Sequence, residues 1–266
     1  PVRRVVAEPV RADRARFVLR RHVPRTRPGV RPQLHARAAR RRPRHHIPIV
    51  RSARAIAIFE LQDVARIAGH PRFQRFSIFH ALNQKATARA YSRLMNRKYE
   101  ELNLIVVHLG GGISIGAHRN GRVVDVNHAI GGEGPFSPER AGSVPVIDAV
   151  RLAYSGKYSE KEFTRMLIGQ GGLCAHLGTN NAFEVEQRVK KGDPHATLIY
   201  EAMAYQVAKF IGTMAVVLKG SVDGVLITGG IAYDKWFVDK LRDYAGWIGP
   251  FFIYPGENEM EALAMN

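Results

Sequence analysis

The chain has 266 residues, 45% of them apolar and 24% charged, which is enough to bury a core in one large domain or two small ones and excludes a chain that stays unfolded. A single cysteine, Cys174, excludes an intrachain disulfide and fits a reducing, cytoplasmic setting. The formal charge of +17 sits almost wholly at the front: residues 1–54 hold 17 arginines, no lysine and two acids, Glu8 and Asp13, a net +15, so that the remainder carries only +2.

The front, taken as residues 1–56, reads as a segment apart. It is crowded with Arg, Ala, Pro and Val and shows no sustained apolar period. Three readings fit: a basic nucleic-acid-binding arm, a disordered tail, or translation of the wrong frame of a GC-rich gene, since Arg, Ala and Pro all have GC-rich codons. Nucleic-acid-binding arms mix Lys with Arg and interleave aromatics on which bases stack. Here Phe17 stands alone among the histidines, which weighs against nucleic acid as a partner and towards the wrong-frame reading.

Ordinary composition begins near Phe59. The spacing of Ile78, Phe79, Leu82, Ala86, Ala90 and Leu94 predicts a five-turn helix over 77–98 with these residues as its apolar stripe. Residues 104–107 form a short apolar strand. Residues 113–117 and 122–126 follow as strands around Asn120-Gly121, the strongest short hairpin signal. Ser159 with Glu162 three residues on makes a capping box for a helix to about Ile168. Asp193-Pro194 supplies the N-cap and first position of a long helix ending near Gly220. That helix is the most apolar long segment, but Glu201, Gln206 and Lys209 interrupt it, so it reads as buried in protein and no membrane partner is expected. A buried strand over 222–228, a helix over 234–244, a strand over 251–254 and a helix over 258–265 complete the pass. Strands alternating with helices around a hairpin predict an α/β fold with a mixed sheet.

Two strand ends carry chemistry. Residues 104–107 run into His108-Leu109-Gly110-Gly111-Gly112, where missing Cβ atoms let backbone N–H groups approach a polyphosphate. The pattern is neither a Walker A loop nor a dinucleotide fingerprint. The second strand end, Thr228-Gly229-Gly230-Ile231, can lie flat against an adenosine, and the pair suggests two walls of one nucleotide cleft.

The segments Ser77-Ile78-Phe79-His80-Ala81-Leu82-Asn83-Gln84-Lys85, Gly132-Glu133-Gly134-Pro135-Phe136-Ser137-Pro138-Glu139-Arg140, Leu177-Gly178-Thr179-Asn180-Asn181 and Tyr254-Pro255-Gly256-Glu257-Asn258-Glu259 add to these. Together they resemble the butyrate kinases, within the actin-like ATPase superfamily that includes acetate and sugar kinases. The resemblance covers residues 57–266 in continuous order. It implies an actin-like ATPase, or ribonuclease H-like, fold with a remnant of the N-terminal lobe at 57–100 and a C-terminal nucleotide-binding lobe at 101–266. It also implies phosphoryl transfer between ATP and butyrate to give butyryl phosphate and ADP, or the reverse, with Mg²⁺ as cofactor and a homo-oligomer when intact. Acetate, propionate or isobutyrate as acceptor, and ATP binding without turnover, are the alternatives.

By the same resemblance His80 and Arg140 flank the transferring phosphoryl group as catalytic residues. His108, Gly110, Gly111, Gly112, Asn181, Gly229 and Gly230 bind nucleotide, and Glu259 helps hold Mg²⁺. Relatives are expected to carry aspartate where Asn181 stands. The resemblance also calls for an Asn-Pro-Gly-Ser-like phosphate hairpin at the front and an aspartate near Ile49. Residues 1–54 contain no such hairpin, and Ile49-Val50-Arg51-Ser52 stands at the second position. Impaired turnover is the expectation that follows.

Overall fold

A computed structural model describes residues 60–256, all within one compact unit. The Arg-rich segment, the helix expected at 258–265 and Glu259 lie outside the described residues.

Five strands form one mixed sheet in the order β3-β2-β1-β4-β5. Strands β1 (Leu104–Leu109), β2 (Ile113–Arg119) and β3 (Arg122–Val126) make an antiparallel meander. Strands β4 (Gly224–Gly229) and β5 (Phe251–Pro255) continue from β1 in parallel. The β2–β3 hairpin turns where Asn-Gly predicts it. Asn120 and Gly121 have φ of 54° and 70°, the left-handed pair whose twist matches that of the flanking strands.

Alternation along the strands gives the sheet two different faces. On one, Ile105, Val107, Leu109, Ile113, Ile115, Val225 and Ile227 pack under the long helix, and on the other lie Leu104, Val106 and Leu226. The helices, in chain order, are α1 (Ala81–Leu94), α2 (Val146–Ala153), α3 (Glu160–Leu167), α4 (Leu173–Leu177), α5 (Ala182–Lys190), α6 (Pro194–Val217) and α7 (Lys235–Ala245). Helix α6 starts on Asp193, whose side chain accepts from the N–H groups of His195 and Ala196, with Pro194 at the first position. Its buried residues Ala196, Tyr200, Met203, Val207, Ile211 and Met214 recur at helical spacing. Each larger aliphatic side chain there gains about 1.5–3 kcal/mol from burial. Among the described residues no helix is long and apolar enough to cross a membrane.

The Ser159–Glu162 capping box forms, and α3 follows it. The helix expected over 77–98 is shorter, and its buried face is a different one. Asn83, Gln84, Thr87, Ala88, Tyr91 and Ser92 point inward, while Leu94 is 68% exposed. The reason lies across the interface: the sheet surface under the front half of α1 presents His108, Ser114 and His118, and polar helix residues satisfy them where aliphatic ones could not.

Candidate nucleotide and phosphoryl site

Strand β1 ends in the glycine turn and carries His108, fully buried, on its α1 face. Helix α1 begins immediately after His80, so packing α1 on β1 brings the two histidines together. Their rings stack with centroids 3.8 Å apart and planes 22° from parallel. Nδ1 of His80 lies 2.9 Å from Oγ of Ser114, and Nδ1 of His108 lies 3.0 Å from Oδ1 of Asn83. Burial first, then His108 and the Arg140 charge, push the His80 imidazole down to about 3. Burial alone pushes His108 down to about 4. Both rings are therefore neutral at neutral pH.

Arg140 closes the group from a distant loop. Its Nη1 donates to the carbonyl of Ala129 at 2.8 Å, and a Cβ built on Gly112 would lie 1.7 Å from that same nitrogen. A side chain at 112 would therefore displace the guanidinium. Burial lowers the Arg140 pKa below its ordinary value, with Glu139 opposing. The loop that carries Arg140 is tied to the glycine turn by Ser137, whose Oγ donates to the carbonyl of Gly111 at 2.7 Å.

The second strand end adjoins the first. Gly229 has φ of 93°, and a Cβ there would lie 2.4 Å from the carbonyl oxygen of Leu109, so only glycine lets the ends of β1 and β4 press together. Gly111 and Gly230 are exposed at these neighbouring ends, Gly110 is half-buried, and nothing lies within 4 Å of a Cβ built on Gly230. Open glycine backbone on two adjacent parallel strand ends fits a polyphosphate on one and a nucleoside on the other.

Asn181, named for nucleotide binding, stands at the start of α5. Its Oδ1 accepts from the N–H groups of Phe183 and Glu184 and caps α5. Its neighbour Asn180 donates to Glu139 at 2.7 Å. Glu133, near the cleft in sequence, is held by Arg75 and by the backbone N–H of His128. Among the described residues no group of three or more His, Cys, Asp or Glu is arranged to hold a metal. A cavity of about 270 Å³ opens beside Arg140, walled by Ile113, Ala129, Pro135, Val144 and Ile168.

Residues 72–242 match the sequence profile of the acetokinase family. The chain belongs to that family. Solved acetokinase-type structures share its fold. Acetate kinase from Porphyromonas gingivalis superposes with a TM-score of 0.71 at 19% identity, over 80% of this chain and 61% of that one. Propionate kinase from Francisella tularensis gives 0.68 at 23% identity, over 77% and 60%. Acetate kinase from Entamoeba histolytica gives 0.68 at 16%, over 77% and 62%. The fold is accordingly that of the actin-like ATPases, and this acetokinase-family chain spans about 61% of the length of the Porphyromonas gingivalis enzyme.

Of the residues named from sequence, His80, His108, Gly112 and Arg140 meet, Gly229 and Gly230 stand beside them, and Asn181 caps α5. Asn83, Gln84, Ser114 and His118 join them in the structure, the first two lying in the motif at 77–85 with no role implied there. The available signal was in β2, where Ser114, Gly116 and His118 put polar or absent side chains on one face of an otherwise apolar strand.

Proposed function

We propose that the chain acts as an ATP-dependent carboxylate kinase on a short-chain acid, with butanoate and ATP giving butanoyl phosphate and ADP. The observation that carries this reading is the position of Arg140. One guanidinium lies against Gly112 of the glycine turn and also lines a mainly apolar cavity, to which Ser137 and the Arg75-paired Glu133 contribute as well. A cation in an apolar wall suits a carboxylate with a short aliphatic tail. The cavity volume of about 270 Å³ admits butanoate, isobutanoate, propionate or acetate alike.

In this transfer a carboxylate oxygen attacks the γ-phosphorus, the bond from that phosphorus to the β–γ bridging oxygen breaks, and ADP leaves. Nucleophile and leaving group are both anions, so no proton has to move. The requirement is to hold two anions together. Arg140 supplies positive charge. His80, neutral, supplies a hydrogen-bond donor without a proton to lose, and His108 backs its ring. The glycine turn offers backbone to phosphate oxygens, and Gly229-Gly230 offers a flat wall to the nucleoside. Mg²⁺ is held mainly by phosphate oxygens and water in sites of this chemistry, with one or two protein carboxylates. The assignment of Glu259 to it rests on the resemblance alone.

Acyl phosphate trapped as hydroxamate from acetate, propionate, butanoate and isobutanoate with Mg-ATP tests the reading. Product from none of the four acids would sink it. A second reading, Mg-ATP binding without turnover, needs only the open backbone at Gly111 and Gly230. It requires a nucleotide titration that saturates while no hydroxamate forms. A homo-oligomer is supported by the exposed Val146, Ile147 and Val150 of α2 and by Tyr154 just after it, and light scattering checks it.

A further inference from the structure

A chain of buried hydrogen bonds runs from the far end of the β2–α1 interface to His80, and its direction can be worked out from one atom. Nε2 of Gln84 lies 3.2 Å from the carbonyl oxygen of Ser114, which can only accept. The amide nitrogen of Gln84 therefore faces Ser114, and its oxygen faces His118 at 3.1 Å from Nε2. That imidazole nitrogen must carry hydrogen, so its Nδ1 accepts from the hydroxyl of Tyr99 at 2.6 Å.

On the other side, Nε2 of Gln84 also donates to Oγ of Ser114 at 2.9 Å, and the backbone N–H of His80 approaches the same oxygen at 3.5 Å. Two donors occupy the acceptor positions of the hydroxyl. Its own hydrogen is left for Nδ1 of His80 at 2.9 Å. A ring whose Nδ1 accepts carries its hydrogen on Nε2. Every donor in the series Tyr99, His118, Gln84, Ser114 points towards His80. The register is built for it: Ser114, Gly116 and His118 share one face of β2, and a Cβ on Gly116 would lie 2.5 Å from Oε1 of Gln84.

We propose that Gln84 is a positioning residue which, through the hydroxyl of Ser114, sets His80 in its Nε2–H tautomer. The consequence for phosphoryl transfer rests on the function proposed above: an uncharged donor, fixed in orientation by the stack on His108, is available to the transferring group. The tautomer itself does not rest on that function.

The test is two-bond proton–nitrogen correlation on the full chain labelled with ¹⁵N-histidine, with His80 and His118 assigned by His80→Asn and His118→Gln. Both rings are expected as Nε2–H near neutral pH. Ser114→Ala should leave His118 as it is and release His80 to a mixture of tautomers. Gln84→Met should release both. With turnover present, Ser114→Ala should lower kcat by about 10–100-fold while KM for Mg-ATP stays within about twofold. A wild-type His80 protonated on Nδ1, or a His80 tautomer unchanged in Ser114→Ala, overturns the proposal. If Gln84→Met does not fold, Ser114→Ala decides. If no acid yields an acyl phosphate, the kinase reading fails and the spectra still decide this one.

Discussion

The guanidinium of Arg140 occupies the space that a side chain at Gly112 would fill, with a would-be Cβ only 1.7 Å from Nη1. The two residues are separated by the whole β2–β3 hairpin and the loop after it. Their contact joins the glycine turn to the wall of the apolar cavity, and the first prediction follows from it.

Gly112→Ala should force Arg140 off the carbonyl of Ala129 while leaving the sheet folded, because the obstruction is a side chain and not backbone. Acyl phosphate formation is expected to fall by about 100-fold, the scale of a misplaced charge-stabilising group. Hydroxamate rates beside a far-ultraviolet spectrum check it. Activity near wild type would show that the position of Arg140 is unimportant.

Arg140→Lys keeps the charge but loses the planar fork that can hold a carboxylate through two donors. KM for the acid should rise by about tenfold or more, and KM for Mg-ATP should change less. Steady-state kinetics over both substrates separate the two. A rise confined to KM for Mg-ATP would place Arg140 on the nucleotide rather than on the acid.

A large residue at Gly230 should act on nucleotide alone. The position is exposed and nothing lies within 4 Å of a Cβ built there, so a side chain can leave the backbone at Gly230 without a clash at its first atom. In Gly230→Trp, Mg-ATP affinity is expected to weaken by about tenfold or more, equivalent to about 1.4 kcal/mol or more, with the denaturation midpoint little changed. Isothermal titration and urea unfolding measure the two effects.

Acid should destabilise the chain well above the carboxylate range. Unfolded imidazoles take up protons below about pH 6.5. The folded ones resist until about 4 for His108 and about 3 for His80 and His118, chiefly because burial penalises the charged ring. The unfolded state thus binds more protons in that window, and stability falls as pH falls through it. Each ring costs about 2 kcal/mol at about pH 5 relative to neutral pH. Urea midpoints at the two pH values check the loss, and His118→Gln should remove about a third of it.

Asp234 caps α7 through the N–H groups of Trp236 and Phe237 and accepts from the buried hydroxyl of Tyr200 at 2.9 Å. Asp234→Ala removes the cap and strands that hydroxyl, so a loss of about 2–4 kcal/mol is expected in urea unfolding. The double variant with Tyr200→Phe should cost less than the sum of the two singles.

What was legible in the sequence was what is local. The Asn120-Gly121 hairpin, the Ser159–Glu162 box and the Asp193-Pro194 start each involve residues within one turn of chain, where backbone preference and side-chain caps act without help from elsewhere. The glycine-rich ends of β1 and β4 were legible for the same reason, and so was the mixed α/β fold. The family motifs singled out His80, His108 and Arg140.

Only the tertiary structure decided which of these meet and which way α1 faces. A helical wheel favours Leu82, Ala86, Ala90 and Leu94 as the inner stripe, because transfer from water is all that it weighs. Packed on β1 and β2, the helix instead buries Asn83 and Gln84, since the opposing strands carry His108, Ser114 and His118, and a buried polar surface is stable only against partners that complete its hydrogen bonds. That choice depends on two surfaces at once, and the sequence presents them one at a time.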